Sequence, residues 1–322
     1  MPKEITHFAL ARTLGRAVSG SSLFFNPITR YPHLFCLGAV TPDIPYFYLA
    51  GGDRKRVQAL SSPFHRHDAA ALVPVLRYLD RFKDQPPALA LAAGVICHIL
   101  SDTRFHPFVY YYAGMDGLHK GATGRHRRFE TAMDLYFWHL YGYETSLYRV
   151  VNSIEIPRQA LDRYLAALFN VSPLPEKVMS RSLNCFMGLQ YLFRSSAVRS
   201  TMAFFKRMNR PLPENATGVV YPFGRPVPLP FFTGTVRYRD PCTGEDIKTD
   251  IRKMVDQTVA SAKEVLDLVG DGLLRDRPLA ETVLPDPDLP FIRPDFSPET
   301  FRFWKGQADL VPDLYRGVAP PF

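Results

Sequence analysis

The stretch His98-Ile-Leu-Ser-Asp102-Thr-Arg-Phe-His106 places two imidazoles and a carboxylate at intervals of four. His126-Arg-Arg-Phe-Glu130 repeats the interval further along, with Asp134 one turn beyond. On a helix such side chains stack along one face, and imidazole nitrogen with carboxylate oxygen is a donor set that zinc takes. His98 and His106 are two turns apart, about 12 Å at about 1.5 Å of rise per residue. An ion that holds its ligands at about 2 Å cannot reach both. Asp102 lies midway, placed to bridge an ion on either side, so the spacing predicts a multinuclear metal site. A His–Asp pair four apart is commonplace on helix surfaces. Here the preceding run Pro86–Cys97 is apolar all round, which predicts a buried helix. Buried ionisable groups are costly unless paired or bound to metal.

Other residues can join this site. His7 sits in Ile5-Thr-His-Phe-Ala-Leu-Ala, the start of an amphipathic helix with Thr6 as a candidate cap. Asp43 lies in Leu37-Gly-Ala-Val-Thr-Pro-Asp-Ile-Pro45, where two prolines and a glycine force a rigid, non-helical turn. An aspartate there is either a helix cap or a ligand. His65 and His67 fall at another helix entry, Ser61-Ser-Pro-Phe-His-Arg-His-Asp68; residues two apart do not share a face, so one of the pair is expected to reach the site. Asp134 is a candidate partner for His126 or His106, holding the ring in one tautomer. Arg66, Arg104, Arg125, Arg127 and Arg128 are interleaved with the ligands, with Arg104 and Arg127 as candidates for binding phosphate oxygens.

Taken in order, these residues resemble the zinc-dependent phospholipase C/D domain family. This all-helical group includes bacterial phosphatidylcholine-hydrolysing phospholipase C and the phospholipase domain of glycosylphosphatidylinositol-specific phospholipase D. Its pattern is an N-terminal His, a Pro-Asp turn, a His, His-x3-Asp followed by His, then His-x3-Glu. It is met by His7, Pro42-Asp43, His65 or His67, His98 with Asp102 and His106, and His126 with Glu130. The likeness covers residues 1–145, with a weaker echo in Tyr238–Glu245. It implies one Zn2+ among Asp43, His65 or His67, His98 and Asp102, and a second held by His106, His126 and Glu130. Asp102 and His7 would contribute to a third, whose other ligands in secreted relatives come from a processed N-terminal Trp; this chain reads Met1-Pro2-Lys3-Glu4 there. The resemblance also implies a phospholipid or related phosphodiester as substrate, with Asp43 as general base as well as ligand. Paired ions suit such a reaction, because they clamp the phosphodiester and lower the pKa of water toward about 7.

The elements that must position these groups predict an all-α, multi-helix bundle with the metal cluster in its core. Residues 1–145 form the expected metal-binding core. Residues 146–272 are an expected helical extension with a Pro-rich loop at 211–249, and 273–322 a Pro-rich tail anchored by Trp304 and nearby Phe residues. Helical patterns run over Glu155–Asn170, Glu176–Met208 and Asp250–Val269, with Gly270 as C-cap. Six prolines across 211–230 exclude a regular helix or central strand. That aromatic-rich stretch is expected to pack on the body or form a lip over the site, with peripheral membrane contact as the sharper reading.

Charge divides unevenly: residues 1–150 carry 17 Lys+Arg against 11 Asp+Glu, and the remainder 22 against 20. This bias attracts anionic substrates. No aromatic-and-basic repeat marks a nucleic-acid module, and no run of about 18–20 uncharged apolar residues marks a transmembrane segment. The chain shows no leader, and Cys36, Cys97, Cys185 and Cys242 are scattered. Both features predict a cytoplasmic setting, and the second argues against a thiolate zinc site. The expected function is a zinc-dependent phosphodiester hydrolase of phospholipase C type. The alternatives are another phosphoesterase on a helical metal scaffold (nuclease-like, or HD-type through His67-Asp68) and a non-enzymatic helical metalloprotein.

Overall fold

The computed structural model describes residues 4–49, 51–66, 68–115, 117–141, 146–175, 177–209, 212, 214–221, 230–275, 277–286, 289 and 301–305. It is mostly helical. In chain order the helices are α1 (Glu4–Ala17), α2 (Phe25–Arg30), α3 (Pro32–Gly38), α4 (Arg54–Ala59), α5 (Val73–Phe82), α6 (Pro86–Ala113), α7 (Ala122–Tyr141), α8 (Leu147–Asn152), α9 (Arg158–Leu168), α10 (Lys177–Phe193), α11 (Ser196–Arg207), α12 (Glu214–Thr217), α13 (Ile251–Leu273) and α14 (Leu279–Val283). Short 3-10 segments at Thr41–Phe47, Ser62–His65, Ala69–Leu72 and Pro230–Phe232 link them, and one antiparallel hairpin pairs β1 (Thr235–Arg239) with β2 (Asp246–Asp250).

Helix α6 is the axis of the core, and α1, α2, α3, α5, α7 and α13 pack around it. By length and composition it could cross a membrane, yet 94% of its most apolar window is buried inside the protein. Its all-round apolar sequence reflects neighbours on every side, as the pattern before His98 predicts. The crossing with α3 is unusually close. A Cβ added at Gly94 would lie 2.1 Å from the Phe35 carbonyl oxygen, and one at Gly38 would lie 2.2 Å from that of Leu91. Backbone can meet backbone here only because both residues are glycine. Gly94 is one turn before His98, so this crossing sets how deeply the first metal-ligand helix sits against the Pro-Asp turn. Gly94→Ala is expected to cost about 3 kcal/mol or more by forcing the helices apart and to weaken metal retention. Wild-type thermal stability in that variant would show that the crossing relaxes freely.

Several sequence expectations shift. The pattern over Glu176–Met208 is two helices, because α10 ends at Phe193 and Ser195 takes an extended backbone (φ −70°, ψ 130°) before α11 begins at Ser196. Gly270 does not end its helix; it is buried within α13, which runs on to Leu273. The all-helical expectation missed the hairpin, although Thr235-Val-Arg-Tyr-Arg alternates as a half-buried strand does, with Val236 and Tyr238 inward. Asp240 accepts from the amides of Cys242 and Thr243 in its turn, which Gly244 closes at φ +75°. Of the far end of the expected tail, residues 301–305 are described: Trp304 lies 4.1 Å from the His119 ring and Phe301 is buried. Of the Pro-rich stretch, Tyr221 and Phe232 are buried at its two ends, so both ends pack into the body; residues 222–229 lie outside the described residues.

Candidate metal centre

Three groups of His, Asp and Glu side chains converge within the described residues: Asp43 with His65 and His98; His7 with His98 and Asp102; and His106 with His126 and Glu130. Helix α6 contributes His98, Asp102 and His106, and α7 contributes His126 and Glu130. Helix α1 brings His7, and two 3-10 segments bring Asp43 and His65. No cysteine joins any of these groups, and all four cysteines are free thiols.

The Asp43 corner is the most informative. His98 Nδ1 lies 2.9 Å from the Ala39 carbonyl oxygen, and His65 Nδ1 lies 2.9 Å from that of Ser61. A carbonyl only accepts, so each Nδ1 carries a hydrogen and each Nε2 is left facing the site. The two Nε2 atoms face each other at 3.3 Å. His65 Nε2 is 3.0 Å from Asp43 Oδ1 and 3.7 Å from Asp102 Oδ2. His98 Nε2 is 3.4 Å from Asp102 Oδ2 and 3.7 Å from Asp43 Oδ1. Ligands held tetrahedrally at zinc's bond lengths are about 3.3 Å apart. Each imidazole nitrogen thus stands at about a zinc-ligand spacing from the other and from one oxygen each of Asp43 and Asp102, an arrangement in which a cation relieves the opposed lone pairs.

Asp102 is the hub. Its Oδ2 also lies 3.8 Å from His106 Nε2, while Oδ1 lies 3.7 Å from His7 Nε2. Neither oxygen of Asp102 and neither ring nitrogen of His7 has a hydrogen-bond partner, though all four atoms are sealed from solvent. Buried polar atoms left this way are expensive, and a shared ion would satisfy them. The spacing places Asp102 between His98 and His106, and its carboxylate lies between their Nε2 atoms, at 3.4 and 3.8 Å. On α7, His126 Nε2 meets Glu130 Oε1 at 2.5 Å, with the His106 ring 5.7 Å from that of His126. The His7 ring stacks on His98 at 4.2 Å. Because His98 Nε2 serves one ion at a time, the His7 corner is left with His7 and Asp102 Oδ1 among the described residues.

Electrostatics agree. Burial disfavours a charged His98, but Asp102 and Asp43 outweigh it and push its pKa up to about 9. Burial would raise the Asp102 carboxyl, yet His106 and His98 hold it well below the usual carboxylate range. Burial and the neighbouring His98 drive His7 far down, and burial lowers His126 against the pull of Glu130, so both present neutral nitrogens. In the metal-free protein at neutral pH the cation in the Asp43 corner is thus a proton on His98. That proton's stabilising contribution is complete below the free-imidazole pKa and lost as pH rises through about 9. Loading metal at pH 7 is expected to release about one proton per chain from His98, measurable by calorimetry in buffers of different ionisation enthalpy. Uptake with no proton release would contradict the arrangement.

These ligands and their order match a known pattern. Residues 1–170 match the family model for zinc dependent phospholipase C. The chain belongs to the zinc-dependent phospholipase C family. It is a hydrolase of that family, and zinc is the metal its three clusters fit. Comparison with curated proteins and with solved structures found no match.

The remaining candidates of this phospholipase C domain fall as follows. His65 lines the centre; His67 lies outside the described residues. Thr6 does not cap α1, which already includes Glu4. Asp134 reaches across from α7 to do so, accepting from the amides of Ile5 at 3.2 Å and Thr6 at 2.8 Å and from the Thr6 hydroxyl at 2.6 Å. Tyr221 donates to Oδ2, the oxygen that also accepts from Ile5, at 2.6 Å. Asp134 therefore steadies the helix that carries His7. Arg104 projects from α6 roughly 200° around from the mean direction of the ligands, and Arg127 is exposed. Arg66 is clasped by both oxygens of Asp68 at 3.0 and 2.6 Å. Arg125 donates to the carbonyls of Ala113 and Lys120, bracing the loop before α7. Two tyrosines were missed. Tyr46 lies 5.2 Å from the His65 ring, and Tyr110 lies between His106 and His126 at 5.1 and 5.4 Å. Side chains three apart eclipse on a 3-10 helix, so Tyr46 shares the face of Asp43; Tyr110 is one turn beyond His106.

Proposed function

We propose that this phospholipase cleaves the glycerol-side phosphodiester of a phospholipid, releasing diacylglycerol and the phosphorylated headgroup. The observation that carries the proposal is the approach of His65 Nε2 and His98 Nε2 to each other and to Asp43 Oδ1 and Asp102 Oδ2, at 3.0 to 3.7 Å. Asp43, His65, His98 and Asp102 would hold one zinc, His106, His126 and Glu130 a second, and His7 with Asp102 part of a third. Bound zinc supplies neutralisation of the phosphate charge and a water acidic enough to attack phosphorus near neutral pH.

The chain's own groups do the rest. Asp43 Oδ1 faces the two imidazoles, leaving Oδ2 to take the proton of the attacking water. The Ala39 and Ser61 carbonyls keep His98 and His65 from turning, since each fixes an Nδ1 hydrogen. Burial, with Asp43 and Asp102, drives the Tyr46 pKa upward, so its hydroxyl stays protonated and can donate to a phosphoryl oxygen. Four free cysteines suit a reducing compartment, so this reading places the enzyme in the cytoplasm.

Asp43→Asn is expected to keep most of its zinc while kcat falls at least about a hundredfold, the usual worth of a positioned base. Full turnover would remove Asp43 from that role. Products from phosphatidylcholine vesicles test the bond choice: diacylglycerol supports the proposal, and phosphatidic acid would overturn it.

A further inference from the structure

The segment from Lys177 to Arg207 contains no Asp or Glu, and its second half is a helix that the fold does not bury. None of the twelve residues of α11 is buried, and α11 makes no extended packing with any other described helix or strand. Isolated helices of about 12 residues are marginal in water, so α11 needs an apolar partner. Its sequence has two sides. Val198, Met202 and Phe205 are half-buried against the body, whereas Phe204 and Met208, one turn apart on the adjoining arc, are 58% and 51% exposed. Arg199, Lys206 and Arg207 lie on the remaining arc. Tyr191 and Leu192, at the end of α10, are 76% and 47% exposed.

Exposed aromatic and aliphatic side chains beside cations, on a segment without acidic residues, are what an interfacial amphipathic helix presents to anionic lipid. We infer that α11, with Phe204 and Met208 as its apolar edge and Lys206 and Arg207 as its charged flank, is the element that docks this protein on an anionic phospholipid surface. The base of the helix is tied to the metal centre. The Arg199 guanidinium donates to the Arg194 carbonyl at 2.9 Å. Arg194 pairs with Glu4 at the start of α1 and lies over the rings of Trp138 and Tyr221 at 5.4 Å. Tyr221 in turn donates to Asp134, so docking through α11 would fix the orientation of the catalytic body to the surface. The inference rests on this surface and stands apart from the hydrolytic reading.

The test is co-sedimentation of the full chain with phosphatidylcholine vesicles, with and without phosphatidylserine. The wild type is expected to bind the phosphatidylserine vesicles and to be released by salt. Phe204→Ser with Met208→Ser should weaken binding at least about tenfold, with helix content, thermal midpoint and hydrolysis of a soluble phosphocholine ester unchanged. Lys206→Glu with Arg207→Glu should weaken it about fivefold per charge, and only on anionic vesicles. Wild type that ignores phosphatidylserine vesicles, or a Phe204/Met208 variant that binds them as wild type does, would overturn the inference. A wild-type dimer that this variant disperses would overturn it too and give the face to a second copy of the chain. Vesicle binding without soluble-ester hydrolysis would instead fault the hydrolytic reading alone.

Discussion

His98→Ala is expected to empty the Asp43 corner of metal and to cut phosphodiester hydrolysis at least about a thousandfold. Loss of one preorganised electrostatic group commonly costs about 10²–10³, and here the substitution removes a ligand and opposes two carboxylates at once. His98 Nε2 sits 3.3 to 3.7 Å from His65, Asp102 and Asp43. Without it, Asp43 and Asp102 lose the positive charge that burial makes necessary. Zinc content should fall by one equivalent while His106, His126 and Glu130 keep theirs, because His98 does not belong to that group. Glu130→Ala should show the reverse pattern. Full zinc content or full activity in His98→Ala would show that the corner binds no catalytic metal.

The second large effect is on stability. Asp134→Ala is expected to destabilise the protein by about 3–5 kcal/mol, the usual cost of removing one partner from a buried charged network. One carboxylate satisfies two first-turn amides of α1, the Thr6 hydroxyl and the Tyr221 hydroxyl. Its removal would leave buried donors without acceptors. Asp134→Asn keeps one acceptor oxygen and should cost less. Because α1 carries His7, both variants should also lose metal at the His7 corner before the other two. Denaturant unfolding with zinc analysis checks both; a loss below about 1 kcal/mol for Asp134→Ala would mean that α1 is held elsewhere.

How much of this was legible in the chain varies by residue. The α6 and α7 ligands were readable because four-residue spacing matches the helical period, and the apolar run before His98 implied burial. Asp43 could be recognised only as cap or ligand. Its role depends on His65 and His98, from two other segments, meeting it, which no local pattern encodes. His65 and His67 could not be separated, since the choice turns on a short 3-10 segment rather than an α-helix. The same 3-10 geometry hid Tyr46. Asp134 shares a helical face with Glu130, which made it look like a ligand's partner; that α1 begins across from it is a long-range fact. The hairpin was overlooked because five-residue strands between prolines resemble coil. Helix α11 looked continuous with α10 because the break is a short one, at the extended Ser195, with neither Gly nor Pro to mark it.

The most direct test of the multinuclear centre is elemental analysis of zinc per chain, on protein purified without chelator or a metal-affinity step. Two to three equivalents are expected from clusters this closely spaced, falling by one in His98→Ala. A chain that carries no zinc, and takes up none when dialysed against it, would contradict the account.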